Sequence, residues 1–187
     1  MSEQFIFGYG SLVNTATHDY GQAHVAELNG WRREWHYTTL RDLAYLSAIP
    51  DPNSTIKGIV LKAPAMDENL EKREQAYARH PVSNIITHSA KTLPDINVFA
   101  IPPRVHRPHH AKSALLLSYI DVVVQGYLRE FGEAGVQGFF KTTHGWGAPV
   151  LDDRANPIYP RHQRLSKQET ELTDHYLNTL SSVVKQL

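Results

Sequence analysis

The sequence predicts an α+β fold, with strands gathered early in the chain and helices mostly later. Three observations carry this reading. The first 65 residues run apolar or alternating between turn signals. From Ser113 to Phe131, the residues Leu116, Ile120, Val123, Val124, Tyr127 and Phe131 recur at helical spacing. Ser166-Lys167-Gln168-Glu169 is a capping box that opens a second amphipathic helix. Strands followed by helices, rather than β-α alternation, point to a segregated sheet-and-helix arrangement.

In chain order, Phe5-Ile6-Phe7 leads into Gly8-Tyr9-Gly10-Ser11-Leu12, a strand that stops abruptly at a tight loop. Glycines there permit close backbone approach, and a loop of this kind turns several N–H groups outward together, which suits a carboxylate or carbonyl oxygen. Val25 to Leu28 alternates weakly, and Trp31 to Leu40 is rich in strand-forming residues. Leu43 to Ile49 and Ile56 to Leu61 are two more strands, parted by the turn signal Pro50-Asp51-Pro52-Asn53. Gly58 marks a bulge or a close contact.

Asp67 is the expected N-cap of a helix reaching about Ala78. Residues 98–101 read as a strand, and the Pro- and His-rich stretch 102–110 as an exposed loop. Gly132 lies just beyond the end of the long helix. The apolar face of the C-terminal helix is expected to be Leu172, Tyr176, Leu180, Val183 and Leu187. The whole chain, 1–187, reads as one domain.

Composition narrows the function classes. Lys+Arg and Asp+Glu are both 19 in 187 residues, so no basic surface for nucleic acid or an acidic membrane is expected. The absence of cysteine removes disulfides and thiol chemistry. The N-terminus lacks a basic signal-peptide start, and no apolar run approaches the ~20 residues of a membrane helix. The expectation is a soluble, cytoplasmic protein.

Leu70, Glu74 and Tyr77 are spaced i, i+4, i+7, which puts a carboxylate on the apolar face of the expected helix. A carboxylate in such a place must find partners or rise in pKa, and either outcome marks a candidate general base. The bland alternative is a solvated glutamate paired with Arg73, Arg79 or a distant cation.

Together these places resemble the γ-glutamylcyclotransferase-like superfamily, including the ChaC branch and AIG2-like relatives. The likeness rests on Phe7-Gly8-Tyr9-Gly10-Ser11-Leu12, on Leu28-Asn29-Gly30-Trp31-Arg32-Arg33, and on Leu70-Glu71-Lys72-Arg73-Glu74. It covers residues 5–80 best, with 118–128 similar to a later helix of the family. The resemblance implies a small mixed β-barrel flanked by helices. It implies that Glu74 is catalytic, that Tyr9, Gly10, Ser11 and Leu12 bind the γ-glutamyl head, and that no cofactor or metal is needed. Tyr119 is a further binding candidate, with a buried structural tyrosine as the alternative. The chain departs from the family's pattern at Gln75, where many relatives have glycine, at Glu71 in place of aspartate, and at Val13-Asn14 after the loop. These departures bear on the substrate.

The implied chemistry releases 5-oxoproline from a γ-glutamyl amide by attack of its own α-amine on the γ-carbonyl. The reaction is intramolecular, so the substrate supplies much of the proximity. The base must do more. An amine near ~8 and a glutamate near ~4.3 differ by about 3.5 units, or roughly 5 kcal/mol. A glutamate raised to about 6–7 would cut that cost to roughly 1.5–3 kcal/mol.

Other readings fall short. Ser11 lacks a G-x-S-x-G elbow, and the glycines lack a third glycine or a Walker lysine. His106, His109 and His110 have no metal-ligand spacing. Two alternatives stay open: a non-catalytic ligand-binding or regulatory module on the same scaffold, and a pathway-specific γ-glutamylamine cyclotransferase.

Overall fold

The computed structural model describes residues 3–38, 42–64, 68–90, 93, 95–102, 106–107, 114–180 and 184–186. Its centre is a mixed sheet built on three strands: β1 (Glu3–Gly8), β2 (Gly21–Thr38) and β3 (Tyr45–Pro64). β3 lies antiparallel between β1 and β2. β1 also pairs in parallel with β6 (Ile96–Ala100), which carries β4 (Ala78–Pro81) on its far side. β5 (Ile86–His88) pairs with the middle of β2. Further along, β2 takes up β7 (His106–Arg107) and β9 (Thr143–His144).

The sheet is open, which corrects the expected barrel. Its strand order runs β4-β6-β1-β3-β2-β5, and no ladder joins the two ends. Closure needs terminal strands that exchange hydrogen bonds in a consistent stagger. Here a single stretch, residues 78–88, supplies both edges: it pairs with β6, turns at Val82–Ile85, and pairs with β2. Pro81 ends β4, and after it Val82 N–H still donates to Ile96 O at 2.9 Å before the chain turns away. A covalent turn therefore stands where a closing ladder would be.

The two strands expected at 43–49 and 56–61 are one. Trp31 faces Pro50 while Asn29 faces Thr55, so the segment 51–54 is extruded opposite Gly30. The Asp51 carboxylate accepts from Asn53 N–H (3.1 Å) and from the Ser54 hydroxyl (2.8 Å), closing the bulge locally while the ladder continues on both sides. Gly58 answers a close contact. A Cβ there would meet the Gly8 carbonyl oxygen and come within 2.7 Å of the Phe7 ring.

Helix α1 (Glu68–Arg73) is shorter than expected, and Asp67 lies outside the described residues. The 102–110 stretch is not all loop, since β7 falls within it; residues 103–105 and 108–110 lie outside the described residues. β8 (Leu115–Leu116) precedes α2 (Leu117–Thr142), so the long helix starts four residues later than expected. Gly132 breaks α2 as expected, at φ 65°, ψ −169°, but the chain resumes helix through 133–142. The buried face of α2 (Ile120, Val123, Val124, Tyr127, Val136, Phe139) packs into one core with Ile6, Phe7, Leu28, Ile59 and Leu61 of the sheet.

α3 (Lys167–Thr179) begins with the capping box, in which Ser166 N–H donates to Glu169 Oε2 (2.7 Å) and Glu169 N–H to Ser166 Oγ (3.2 Å). Its buried positions are Thr173 and Leu177, with Leu172 and Tyr176 partly covered. Leu180 is exposed, which corrects the longer apolar face; Val183 and Leu187 lie outside the described residues. A second sheet places β10 (Val150–Asp152) in parallel between β8 and β11 (Val184–Gln186). Among the described residues no helix is long and apolar enough to cross a membrane.

Candidate active site

β1 ends at Gly8, and the chain turns at once through Tyr9 and Gly10 into two single-turn 3-10 segments, Ser11–Val13 and Thr15–Thr17. Val13 N–H donates to Gly10 O (3.0 Å) and Asn14 N–H to Ser11 O (3.2 Å), so the loop is knotted on itself. Among the described residues the N–H groups of Gly10 and Leu12 have no hydrogen-bond partner.

Asn14 moors the loop. It is fully buried between the 3-10 turns, its Nδ2 donates to Val122 O and Gln125 Oε1 (both 2.9 Å), and its Oδ1 accepts from Ala16 N–H (3.1 Å). Gly126 lets α2 come this close, since a Cβ there would lie 2.6 Å from Asn14 N. From below, the buried Arg33 donates to the Tyr127 hydroxyl (2.9 Å), which lies 3.0 Å from Tyr9 O and 2.7 Å from Lys57 O.

The loop forms one wall of a cleft of about 680 Å³. All six residues singled out in the sequence line it: Tyr9, Gly10, Ser11, Leu12, Glu74 and Tyr119. Glu74 reaches the cleft by a different route from the expected one. α1 ends at Arg73, and Glu74 sits in the following turn, its N–H donating to Leu70 O (2.8 Å) and its O accepting from Tyr77 N–H (2.9 Å). It is half-buried rather than set on a helical stripe.

Tyr9 faces this carboxylate. Burial pushes the Tyr9 hydroxyl well above the usual tyrosine range, and the Glu74 charge and Tyr119 push it further. Its proton goes to Phe99 O at 2.6 Å. The polar atoms of Tyr9 therefore hold the loop, and its ring is the part offered to the cleft. Gly10 and Tyr119 touch closely: a Cβ on Gly10 would come within 2.6 Å of the Tyr119 hydroxyl. Tyr119 is wedged edge-on between Trp35 and Tyr159, with centroids at 5.8 and 5.0 Å.

The segment 158–161 was not singled out in the sequence. The Tyr159 hydroxyl donates to Ser11 Oγ (2.9 Å), and Arg161 brings a cation to the cleft wall. The segment is pinned by the buried Asp153, which accepts from Ser118 N–H (2.8 Å), the Ser118 hydroxyl (2.5 Å) and Ile158 N–H (2.8 Å). Tyr45 and Tyr77 complete an aromatic wall. The only local signal for this segment is the Tyr-Pro dipeptide, which reads as a turn.

No protein-family model and no curated protein sequence matches the chain. Solved structures do. A structure described as a gamma-glutamyl cyclotransferase superposes with a TM-score of 0.55 at 11% identity, covering 93% of this chain and 99% of that one. An uncharacterized Homo sapiens protein gives 0.53 at 11%, with the same coverages. The chain has the γ-glutamylcyclotransferase-like fold. YkqA from Bacillus subtilis, at 0.55 and 17% identity, is matched over 78% of this chain, which spans 57% of that protein. At these identities the γ-glutamylcyclotransferase likeness is one of architecture.

Proposed function

We propose that the protein is a γ-glutamylcyclotransferase-type enzyme that releases 5-oxoproline from a γ-glutamyl amide or peptide. One observation carries this: the half-buried Glu74 and the glycine loop 8–12 share a single cleft. Glu74 takes a proton from the substrate's α-ammonium. The freed amine forms a bond to the γ-carbonyl carbon, and the negative charge moves to the carbonyl oxygen, where the Gly10 and Leu12 N–H groups can receive it. Collapse breaks the bond from the γ-carbon to the leaving nitrogen, which takes the proton held by Glu74; the ring nitrogen then gives its second proton to the Glu74 carboxylate, which passes it to the released amine. Arg161 gives the substrate α-carboxylate a counter-charge.

The test is Glu74→Gln with a mixed γ-glutamyl pool, read as 5-oxoproline by mass spectrometry. The expected result is release by the wild type and a loss of about 10²–10⁴-fold in the variant. Equal release by both overturns the mechanism. Saturable binding of γ-glutamyl compounds by a wild type that turns none over would make the chain a binding module instead. A soluble, cytoplasmic setting fits a small-molecule substrate of this kind.

A further inference from the structure

Behind Tyr119 the cleft opens into a side lobe of about 150 Å³. Tyr45, Leu46, Tyr77, Tyr119, Tyr159 and Pro160 line both spaces, so the lobe continues the cleft. Its own walls are Trp35, Ala44, Leu116 and Ile158. No lining residue among those described is charged, in contrast to the cleft, which holds Glu74, Lys72 and Arg161. Trp35 adds a second observation. It is 2% exposed, and its indole Nε1–H is buried without a hydrogen-bond partner, whereas the neighbouring Trp146 donates its own to Thr143 O at 2.8 Å.

We propose that this lobe is the leaving-group subsite, and that it takes a neutral, ring-sized substituent on the γ-nitrogen. The substrate class is then a γ-glutamyl arylalkylamide rather than a γ-glutamyl dipeptide ending in a carboxylate. The proposal rests on the cyclotransferase reading of the cleft. The size fits, since an apolar cavity of about 150 Å³ holds one benzene ring. The lining fits, since aromatic edges and aliphatic side chains suit a ring, and a carboxylate placed there would lose its water without gaining a cation.

The test compares 5-oxoproline release by the full chain from the γ-glutamyl amides of 2-phenylethylamine, tyramine and methylamine, and from glutathione. The expected result is a kcat/KM at least about tenfold higher for the two ring-bearing amides than for the methylamide or glutathione. Ala44→Leu, which fills the lobe, should lower the ring-bearing amides by about tenfold and leave the methylamide within about twofold. Equal rates across the panel, or a preference for glutathione, overturn the lobe while leaving the cyclotransferase reading standing. If no substrate turns over, calorimetric binding of the same amides decides. Tighter binding of the ring-bearing pair supports the lobe although the reading of the chemistry fails, and equal binding overturns the lobe as well.

Discussion

The Tyr127 hydroxyl lies 3.0 Å from the Tyr9 carbonyl oxygen, across 118 residues of sequence. The same hydroxyl accepts from the buried Arg33 and reaches Lys57 O. One phenol thus ties helix α2, strands β2 and β3, and the glycine loop at a single point. The Arg33 guanidinium also stacks on the Tyr127 and Phe139 rings, at 5.2 and 5.4 Å. Tyr127→Phe keeps the ring and removes the knot. It takes one acceptor from Arg33 and the hydroxyl partner from Tyr9 O inside the core, while Lys57 O keeps Arg33 Nη2 at 3.3 Å; the loss costs about 1–3 kcal/mol. Urea denaturation should show that loss with an unchanged m-value. A variant as stable as wild type would mean that the hydroxyl holds nothing.

At Gly10 the constraint is space rather than φ, which is −126°. An added Cβ would press on the Tyr119 oxygen, and moving the Tyr119 ring out of its way would cost its edge contacts with Trp35 and Tyr159. Gly10→Ala should cost about 1–3 kcal/mol by overpacking. It should also lower 5-oxoproline release by about 10²-fold through a displaced loop. Removing the oxygen relieves the clash, so Gly10→Ala should be milder in a Tyr119→Phe background. Thermal melts of the four proteins of this cycle measure the coupling. Strict additivity would remove the contact from the account.

How far the sequence could lead is clearest at Glu74. Periodicity singled out a side chain that does line the cleft, but by the wrong geometry, because α1 stops at Arg73 and a turn delivers the carboxylate. The glycine loop was legible because a strand ending in glycines leaves few alternatives. The capping box at Ser166 was legible because both of its bonds are local. Long-range placement was not legible. Nothing around Tyr159 announces that Asp153 and Ser118 will carry it to Ser11. The open sheet was missed for the same reason, since pairing at both ends of residues 78–88 is tertiary information. Pro50 and Pro52 signalled a true turn, but a bulge can absorb such a turn without ending the strand.

Asp121 and Arg154 form the second buried polar pivot. Asp121 is 4% exposed and takes a two-pronged pair from Arg154, with Nε to Oδ2 at 2.7 Å and Nη2 to Oδ1 at 2.8 Å. Arg154 also reaches Asp174 at 2.8 Å, which binds α3 to α2. Burial raises the Asp121 carboxyl, and the guanidinium opposes this. Arg154→Met strands the carboxylate and should cost about 3 kcal/mol at neutral pH. A carboxyl raised in the folded state keeps its proton to higher pH than in the unfolded chain, so this deficit should shrink as pH falls towards 5. Adding Asp121→Asn should recover part of it. Denaturation midpoints at pH 5 and 7 check both, and a pH-independent deficit would show that Asp121 is not the group left uncompensated.

Alkaline pH tests the buried phenols. Burial pushes Tyr9, Tyr37 and Tyr127 above the usual tyrosine value, with Glu74 and Tyr119 adding to the effect at Tyr9 and Arg33 opposing it at Tyr127. In the folded protein these hydroxyls keep protons that the unfolded chain gives up near pH ~10. Their contribution to stability is whole below that value and drains away as pH rises through the folded values. The slope is about 1.4 kcal/mol per pH unit for each such group. Urea midpoints measured at pH 8, 9, 10 and 11 should fall steeply above 10, because the native state alone stays protonated. Lysines titrate in the same window, so the comparison that matters is with Tyr127→Phe, which removes one of the three phenols and should flatten the fall by about that amount per unit. An identical alkaline slope in variant and wild type would mean that the Tyr127 hydroxyl titrates alike in the two states, and that its enclosure between Arg33 and Tyr9 is open to solvent.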